Sequence, residues 1–511
     1  MLLINMNCTN LCCGAKLLTS VLIHNQMSPS LILICVIAYS ALLFYVVWRT
    51  SRNADNESYF IGNKSSKWYL VAYGMIGASL SGVTFMSVPG LVGTTHFSYM
   101  MVVFGYLFGY AVIAQVLLPT YYKMNLTSIY TYLEKRLGFW SYKTGAFYFL
   151  VSRAIGASFR LYIVVNVLQI FVFEGWGIPF WVTVATFIVL ILLYTYKGGV
   201  KTIVWTDTLQ TSFMLIAVVI SVILIIRESG LSMGSIINKI QLNDYAQLIN
   251  NDWRAKSYFL KQFFGGMFIA IAMTGLDQEM MQKNISVKTL KDSQKNMYTF
   301  SIVLVFINLL FLFLGALLYV FAGSKGIVFP EKTDDLFPII ALNYLGVFAA
   351  VFFIIGLISA AYPSADGALT ALTSSFCIDF LGIKKKNWTD IKQRNVRYLV
   401  HISFALLLLL LIVIFRIIND DAVISKLFTV AGYTYGPLLG LFSFGLITKR
   451  SLHDRVVPFI CILSPMICYY INEHSVQWLN GYKFGFELLI LNGFLTFCGL
   501  YFISGKLKTL K

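Results

Sequence analysis

The sequence is poor in charge. Only 12% of its 511 residues are Asp, Glu, Lys or Arg, and only 22 are acidic, whereas 58% are hydrophobic and 16% are aromatic. With a mean hydropathy of +0.76, the chain has more apolar surface than a soluble domain can bury. The composition therefore excludes a soluble globular protein and indicates a polytopic membrane protein.

Groups that carry out metal and nucleophilic chemistry are also scarce. None of the five histidines lies among the intramembrane carboxylates, and the eight cysteines show no paired spacing. The sequence has no phosphate-binding glycine loop followed by Lys-Ser/Thr, no His-Glu-x-x-His, and no Gly-x-Ser-x-Gly elbow in a strand-turn-helix context. These absences disfavour a membrane enzyme and ATP-driven transport, and they predict no metal site other than one for a transported cation.

Long apolar runs dominate the chain instead. Counting runs of roughly 18 or more residues predicts thirteen transmembrane helices in an all-α protein. The runs lie near residues 30–48, 68–92, 99–120, 145–173, 178–196, 203–226, 259–281, 297–322, 346–380, 398–416, 427–447, 456–472 and 484–504. Residues 1–26 lack the ordered regions of a signal peptide, and Met27 opens a new start before the first run. We therefore expect 1–26 to be a non-native or disordered leader and 27–511 to form one transmembrane domain.

Lysine and arginine predict the orientation of these helices. One set of alternate loops, together with the carboxyl-terminal tail, holds 26 of these residues, Lys283 among them, and the opposite set holds ten. Because cytoplasmic loops carry the excess of positive charge, the amino terminus is predicted outside and the carboxyl terminus inside. The formal charge of +17 is thus mostly a topology signal and not a sign of nucleic-acid binding.

Residues 77–90 interrupt the second apolar run with glycine, hydroxyl side chains and a proline. Non-helical backbone at membrane depth is tolerated where protein buries it or where it lines a watery cavity, which predicts an ion or solute site. Close helix packing through small residues is the alternative interpretation.

Four charged residues inside the apolar runs are further candidates, because charge at membrane depth is costly. Arg153 and Arg160 lie two turns apart on nearly one helix face. Each could pair with a buried carboxylate or bind solute, and Arg160 is nearer the middle of its run. Asp207 could bind a cation or complement a helix amino terminus. Asp366 lies close to Pro363 in the sequence. Because proline has no amide hydrogen, Pro363 leaves one backbone carbonyl of its helix without a hydrogen-bond donor. This carbonyl and the Asp366 carboxylate predict a shell of oxygen ligands suited to sodium.

Several motifs, taken in order, resemble the sodium:solute symporter family, which includes bacterial proline, sialic acid and sugar symporters and the animal sodium/glucose cotransporters. They lie at residues 59–62, 77–90, 198–210, 275–283, 359–379 and 435–437. The resemblance implies a LeuT-like fold of two inverted five-helix repeats with discontinuous helices. The repeats are expected near 67–227 and 259–448, with peripheral helices at 30–48, 456–472 and 484–504.

The resemblance also implies sodium-coupled symport by alternating access. In the family, one sodium ion is held by carbonyls of the first core helix and by a carbonyl and two hydroxyls of the eighth. The matching positions are Gly77, Leu80, Ala360, Pro363 and Ser364. Pro363 departs from the pattern because it has no hydroxyl. A second sodium site in some members corresponds to Asp207 and to the region of Asp366.

The expected solute is a small organic anion such as a sialic acid or a monocarboxylate. Hydroxyls on the first core helix and a nearby arginine suit a carboxylate, which guanidinium binds bidentately. The predicted solute-binding residues are Ser79, Ser81, Thr84, Arg160, Met273, Thr429 and Tyr433. The positions that contact hexose in sugar symporters correspond to Ala270, Val103 and Thr429, which would cost a sugar its main hydrogen bonds.

Other functions stay open at this stage. The protein could be a sugar, polyol or amino-acid symporter of the same family, or a proton-coupled carrier in which Asp207 and Asp366 carry protons. A sensor built on the same fold would usually append a signalling domain. The expected partners are solute, sodium and the lipid bilayer, with no nucleic acid and no obligate protein partner, and the expected location is the cytoplasmic (inner) membrane.

Overall fold

A computed structural model describes residues 28–50, 66–195, 200–383, 386–418 and 423–505. The predicted leader at 1–26 lies outside these ranges. The described residues form nineteen α-helices: α1 Pro29–Thr50, α2 Trp68–Ser79, α3 Gly82–Thr95, α4 Tyr99–Val112, α5 Leu118–Lys123, α6 Thr131–Arg136, α7 Phe139–Leu168, α8 Phe180–Thr195, α9 Val200–Ser229, α10 Met233–Leu242, α11 Phe259–Ala270, α12 Gln278–Ile285, α13 Leu290–Lys325, α14 Leu336–Asn343, α15 Gly346–Ser375, α16 Asp390–Ile418, α17 Val423–Ile447, α18 Val457–Trp478 and α19 Leu488–Phe502. One short antiparallel pair, β1 Ser451–Leu452 with β2 Ser504–Gly505, joins two loops.

The helices confirm an all-α membrane protein. Within the described ranges, nine helices are long and apolar enough to cross a bilayer, and a bent pair would make a tenth. Helices dominate because lipid offers no hydrogen bonds, so that each spanning segment must satisfy its own backbone groups. Helices α8 and α19 occupy two further predicted spans as shorter apolar helices of 16 and 15 residues.

Two helices are broken near their middle. Helix α2 ends at Ser79 and α3 begins at Gly82, because Leu80 (φ −85°, ψ 90°) and Ser81 (φ −89°, ψ 179°) have extended backbone. Helix α11 continues through one π-helical turn, Ile271–Gly275, and then bends by 66° into α12. The interruption predicted at 77–90 is therefore present, and a second one lies within the predicted span 259–281.

Glycines bring α4 and α11 into backbone contact. A Cβ on Gly105 would lie 2.0 Å from the carbonyl oxygen of Phe263, and one on Gly266 would lie 2.2 Å from that of Val102. Small residues at such an interface let helices approach closely where no hydrophobic force drives them together. The second helix of the first half is thereby fixed against the broken helix of the second half.

Helix α15 is the central element of the bundle. Residues 356–375 are all buried, and the helix passes through Pro363 without a break. It packs along α9 and also contacts α2, α3 and α7. Helix α1 reaches it from outside through Tyr39, which stacks on Tyr362, and through a 3.0 Å hydrogen bond between Ser40 and the Tyr362 hydroxyl. Asp366 therefore lies deep in protein and away from lipid.

Candidate functional site

A cavity of about 70 Å³ lies where α2 gives way to α3. Ser79, Ser81 and Thr84 line it from the broken helix, while Arg160 and Met273 line it from α7 and the π-helical turn after α11. These five predicted solute-binding residues thus face one space. Five more polar side chains line it from α4, the π-helical turn and α13: Tyr99, Tyr106, Tyr110, Thr274 and Asn308.

Arg160 is buried in the cavity wall with 9% of its surface exposed. Among the described residues no carboxylate lies within ion-pairing distance of it, and its Nε has no hydrogen-bond partner. A buried guanidinium without a counter-ion is costly, because its lost hydration is not replaced. Arg160 therefore gives the cavity a positive charge suited to an anion.

Arg153 lies two turns earlier on α7 and lines the same cavity. Unlike Arg160, it is already paired: its Nη2 donates to Glu279 Oε2, and its Nη1 lies 3.9 Å from Asp277 Oδ2. Of the two roles that the sequence left open for Arg153, the structure thus shows the pairing with buried carboxylates.

The amino terminus of α12 presents these two carboxylates. Asp277 caps the helix, since its Oδ1 accepts from the amide nitrogens of Glu279 (2.9 Å) and Met280 (3.2 Å). Its other oxygen accepts a 2.9 Å hydrogen bond from the Tyr435 hydroxyl on α17. Anionic groups are favourable at a helix amino terminus, so the bend before α12 holds two negative charges beside Arg153.

Lys283 extends the ion network to α9. Its Nζ lies 2.7 Å from Asp207 Oδ2 and 3.1 Å from Glu279 Oε1, one turn earlier on α12. The sequence pattern places Lys283 among the cytoplasmic loop charges, but its side chain is buried, because α12 folds into the bundle. Asp207, a predicted cation ligand, therefore has an ammonium group on one oxygen, while its Oδ1 has no partner.

The positions matched to the main sodium site offer oxygen atoms. The extended backbone at Leu80 leaves the last carbonyls of α2, from Gly77 onward, without their usual helical donors. On α15, Ala360 and Pro363 are buried, and within the described residues the buried Ser364 hydroxyl has no hydrogen-bond partner. Carbonyl and hydroxyl oxygens are the kind of ligand that suits a small hard cation, whereas Pro363 contributes no hydroxyl.

Asp366 does not pair with Arg153. Its Oδ2 accepts a 2.9 Å hydrogen bond from the Tyr194 hydroxyl on α8, and its Oδ1 accepts one of 2.5 Å from the Gly367 amide. The carboxylate is fully buried beside α9, which carries Asp207. Two hydrogen bonds without an ion pair leave this group available to a cation or a proton.

Two residues proposed from sequence lie away from the cavity. Thr429 is exposed, and its hydroxyl donates to the carbonyl of Ser425 at 2.8 Å. The Tyr433 ring packs against Tyr469 on α18, 5.9 Å between centroids. Successive residues of a helix differ by about 100° in direction, and a different face of α17 meets the cavity: Ile424, Leu427 and Phe428.

Glu279, Lys283 and Tyr435 are site residues that reasoning from sequence missed. All three fall in motifs at 275–283 and 435–437 that carry the family resemblance, yet no role was assigned to them. The available signal was the spacing of Glu279 and Lys283, since opposite charges at i and i+4 share one helix face. Their partners on α7 and α9 are not visible from local spacing.

Comparison with known proteins identifies the family. The profile of the sodium:solute symporter family matches residues 59–453, most of the chain. The chain belongs to the sodium:solute symporter family. The match confirms the resemblance noted in the sequence and the class of protein, a sodium-coupled symporter of the membrane and not an enzyme.

Individual relatives of this symporter are distant. The sodium/sialic acid symporter SiaT of Proteus mirabilis is 23% identical over 421 residues, which cover 81% of this chain and 83% of the relative. The mouse sodium-coupled monocarboxylate transporter 1 is 25% identical and covers 80% of this chain and 67% of its own length. A solved structure of a Na⁺-coupled sialic acid symporter in a substrate-bound, outward-open state superposes with a TM-score of 0.80 at 20% identity, covering 93% of this chain and 99% of that one. The last likeness shows that the two proteins share a fold.

Proposed function

We propose that this symporter carries a small monocarboxylate together with sodium. The observation that supports the proposal most directly is Arg160, a buried guanidinium without a carboxylate partner in a wall rich in hydroxyl groups. A carboxylate would supply the missing counter-ion, and Ser81 and Thr84 would donate to its oxygens. Sialic acid and monocarboxylate transporters are both among the relatives.

The size of the cavity favours the smaller of these solutes. Its volume of about 70 Å³ is about half that of an engineered cavity of about 150 Å³ that binds benzene, a ligand of about six non-hydrogen atoms. Lactate also has about six non-hydrogen atoms and a sialic acid about twenty, so lactate is the closer of the two to the available space. A sialic acid would require the helices around the cavity to separate further.

In the proposed mechanism sodium binds between α2 and α15. Carbonyls of Gly77, Leu80 and Ala360 and the Ser364 hydroxyl would hold the ion, directly beside the serines that face the solute. An ion at this break would offset the negative partial charge at the carboxyl-terminal end of α2 and fix the backbone that presents Ser79 and Ser81. Sodium would thereby favour the conformation that binds solute.

The architecture proposed with this function is the inverted repeat with thirteen spans. One broken helix opens each half: α2 with α3 in residues 67–227, and α11 with α12 in residues 259–448. Broken helices at corresponding positions of two halves are what an inverted-repeat transporter requires. The proposed orientation has the amino terminus outside and the carboxyl terminus inside a cytoplasmic membrane.

Arg160→Ala tests the solute proposal. We expect sodium-driven uptake of labelled lactate into proteoliposomes to fall at least about a hundredfold, because the solute loses its counter-ion and two charge-assisted hydrogen bonds. Arg160→Lys should retain part of the uptake, since it keeps the charge but not the paired donors.

The exposed Arg455 offers a matched control, because Arg455→Ala removes the same charge away from the cavity. Lactate uptake that persists in Arg160→Ala at the level of Arg455→Ala would overturn the proposal.

Proton coupling is the second candidate. The Asp366 carboxylate forms no ion pair among the described residues, and the ammonium group of Lys283 already lies where sodium would bind Asp207. Measuring uptake in sodium-free buffer at a fixed proton gradient distinguishes sodium coupling from proton coupling. A sodium symporter loses uptake under these conditions, whereas a proton carrier retains it.

A further inference from the structure

We infer that Glu279 restricts the solute to a single negative charge, by neutralising one of the two arginines in the cavity wall. This inference rests on the proposed function, because it concerns the charge of the solute that binds at Arg160. Glu279 would set the specificity of the site without itself lining the cavity.

The two arginines differ only in their partners. Arg153 and Arg160 lie on one face of α7, about 10 Å apart along the helix axis, and both line the cavity. Glu279 bonds to Arg153 and does not itself line the cavity, and Asp277 lies 3.9 Å from the same guanidinium. Arg160 has no carboxylate within ion-pairing distance among the described residues. One arginine of the wall is therefore paired with carboxylates and the other is not.

The position of Glu279 is fixed from three sides. Lys283 holds its Oε1 at 3.1 Å, and Arg153 holds its Oε2. On the third side, α15 makes room for the carboxylate with Gly367, where an added Cβ would lie 2.2 Å from Oε1. A carboxylate confined in this way offsets the charge of Arg153 in every solute-free molecule.

Charge balance then selects the solute. A monocarboxylate supplies the counter-ion that Arg160 lacks. The second carboxylate of a dicarboxylate would lose its hydration beside Arg153, whose charge Glu279 already offsets. No interaction would then replace the lost hydration of that carboxylate. Specificity of this kind arises from the penalty on the wrong ligand.

The test compares lactate with malonate, which is similar in size but carries two carboxylates. Both acids are titrated against the purified full-length protein in sodium buffer, and the concentration giving half-maximal thermal stabilisation is recorded for each. Wild type should bind lactate in preference to malonate. Glu279→Gln should shift the ratio of the two concentrations about tenfold towards malonate, because Arg153 loses its hydrogen-bonded carboxylate, keeps only Asp277 at 3.9 Å, and can form one charge-assisted hydrogen bond to the solute.

Two further variants keep the test decisive. The double variant Glu279→Gln with Arg153→Gln removes both partners of the ion pair. Removing both partners of a buried pair costs less stability than removing one. This variant should restore the preference for lactate. Glu174→Gln removes an exposed glutamate six residues beyond the end of α7 and should leave the ratio unchanged.

A lactate preference that is the same in Glu279→Gln and Glu174→Gln overturns the inference and leaves the proposed function intact. A wild type that neither acid stabilises overturns the proposed function, and the inference falls with it. If Glu279→Gln loses the preference for lactate and the double variant does not recover it, the charge-balance explanation is also contradicted.

Discussion

Lys283 shows how one side chain can change the interpretation of a site. From the family resemblance, Asp207 is a ligand of a second sodium ion, yet in the structure an ammonium group lies 2.7 Å from one of its oxygens. The lysine thus supplies a permanent positive charge where an ion is expected. Its other contact, with Glu279, connects this region to the solute cavity through Arg153.

Replacing Lys283 with Met should destabilise the protein strongly. The change leaves the Asp207 carboxylate buried with no cation, and breaking a buried ion pair in this way costs about 3–5 kcal/mol. Thermal unfolding followed by tryptophan fluorescence should show a lower midpoint for Lys283→Met, and a second change of Asp207→Asn should recover much of the loss.

Lys288→Met is the matched control, because Lys288 is exposed just after α12. If Lys283→Met unfolds at the temperature of Lys288→Met, the ion pair contributes nothing to stability.

Close helix contacts determine where the broken helices lie. Helix α4 packs along α11 through Gly105, Gly109 and Gly266, with backbone against backbone. Because α11 leads directly into the π-helical turn with Met273 and Thr274, this contact also positions one wall of the cavity. A packing defect here should therefore reduce both stability and solute binding.

Gly105→Ala tests this contact. Its Cβ would lie 2.0 Å from a backbone oxygen that cannot rotate away, and overpacking of this kind typically costs about 1–3 kcal/mol. We expect a lower unfolding temperature and weaker stabilisation by lactate, both measured by thermal unfolding. Gly323→Ala on α13 meets no atom of the described residues within 4 Å, and alanine favours a helix over glycine, so this variant should lower neither quantity. Equal behaviour of the two variants would contradict the packing argument.

At the scale of the whole molecule, the loop between α13 and α14 connects α3 with the start of α17. The segment Thr333–Asp335 lies against Gly90 of α3, where an added Cβ would come within 2.4 Å of the Thr333 carbonyl. Asp334 accepts a 3.0 Å hydrogen bond from the Val423 amide at the start of α17. Burial raises the pKa of Asp334 to about 6, above its ordinary value.

This carboxyl should make global stability depend on pH. Because its pKa is higher in the folded protein than the value of about 4 in an unfolded chain, the folded state binds more protons between about pH 4 and 6. Its contribution is therefore present in full at low pH and is lost as the pH rises through 6. Relative to Asp334→Asn, wild type should lose about 1.4 kcal/mol of unfolding free energy between pH 5 and pH 7.5, measured as a lower unfolding temperature at the higher pH.

Asp244→Asn, at an exposed aspartate in another loop, should follow the wild-type profile. A pH profile of Asp334→Asn identical to that of wild type would show that this carboxyl is not the cause.

Hydropathy and ordered motifs by themselves determine the class of this protein, an all-helical sodium:solute symporter, because a bilayer imposes segment length and the family repeats its motifs in a fixed order. They also predict an interruption within residues 77–90 and the candidate Arg160, since glycine, hydroxyl and charged residues stand out within apolar runs. Only the tertiary structure decides the partners of the buried charges. Arg153 and Glu279 are 126 residues apart, and Asp207 and Lys283 are 76 apart. Such pairs depend on how helices pack, which local periodicity does not encode.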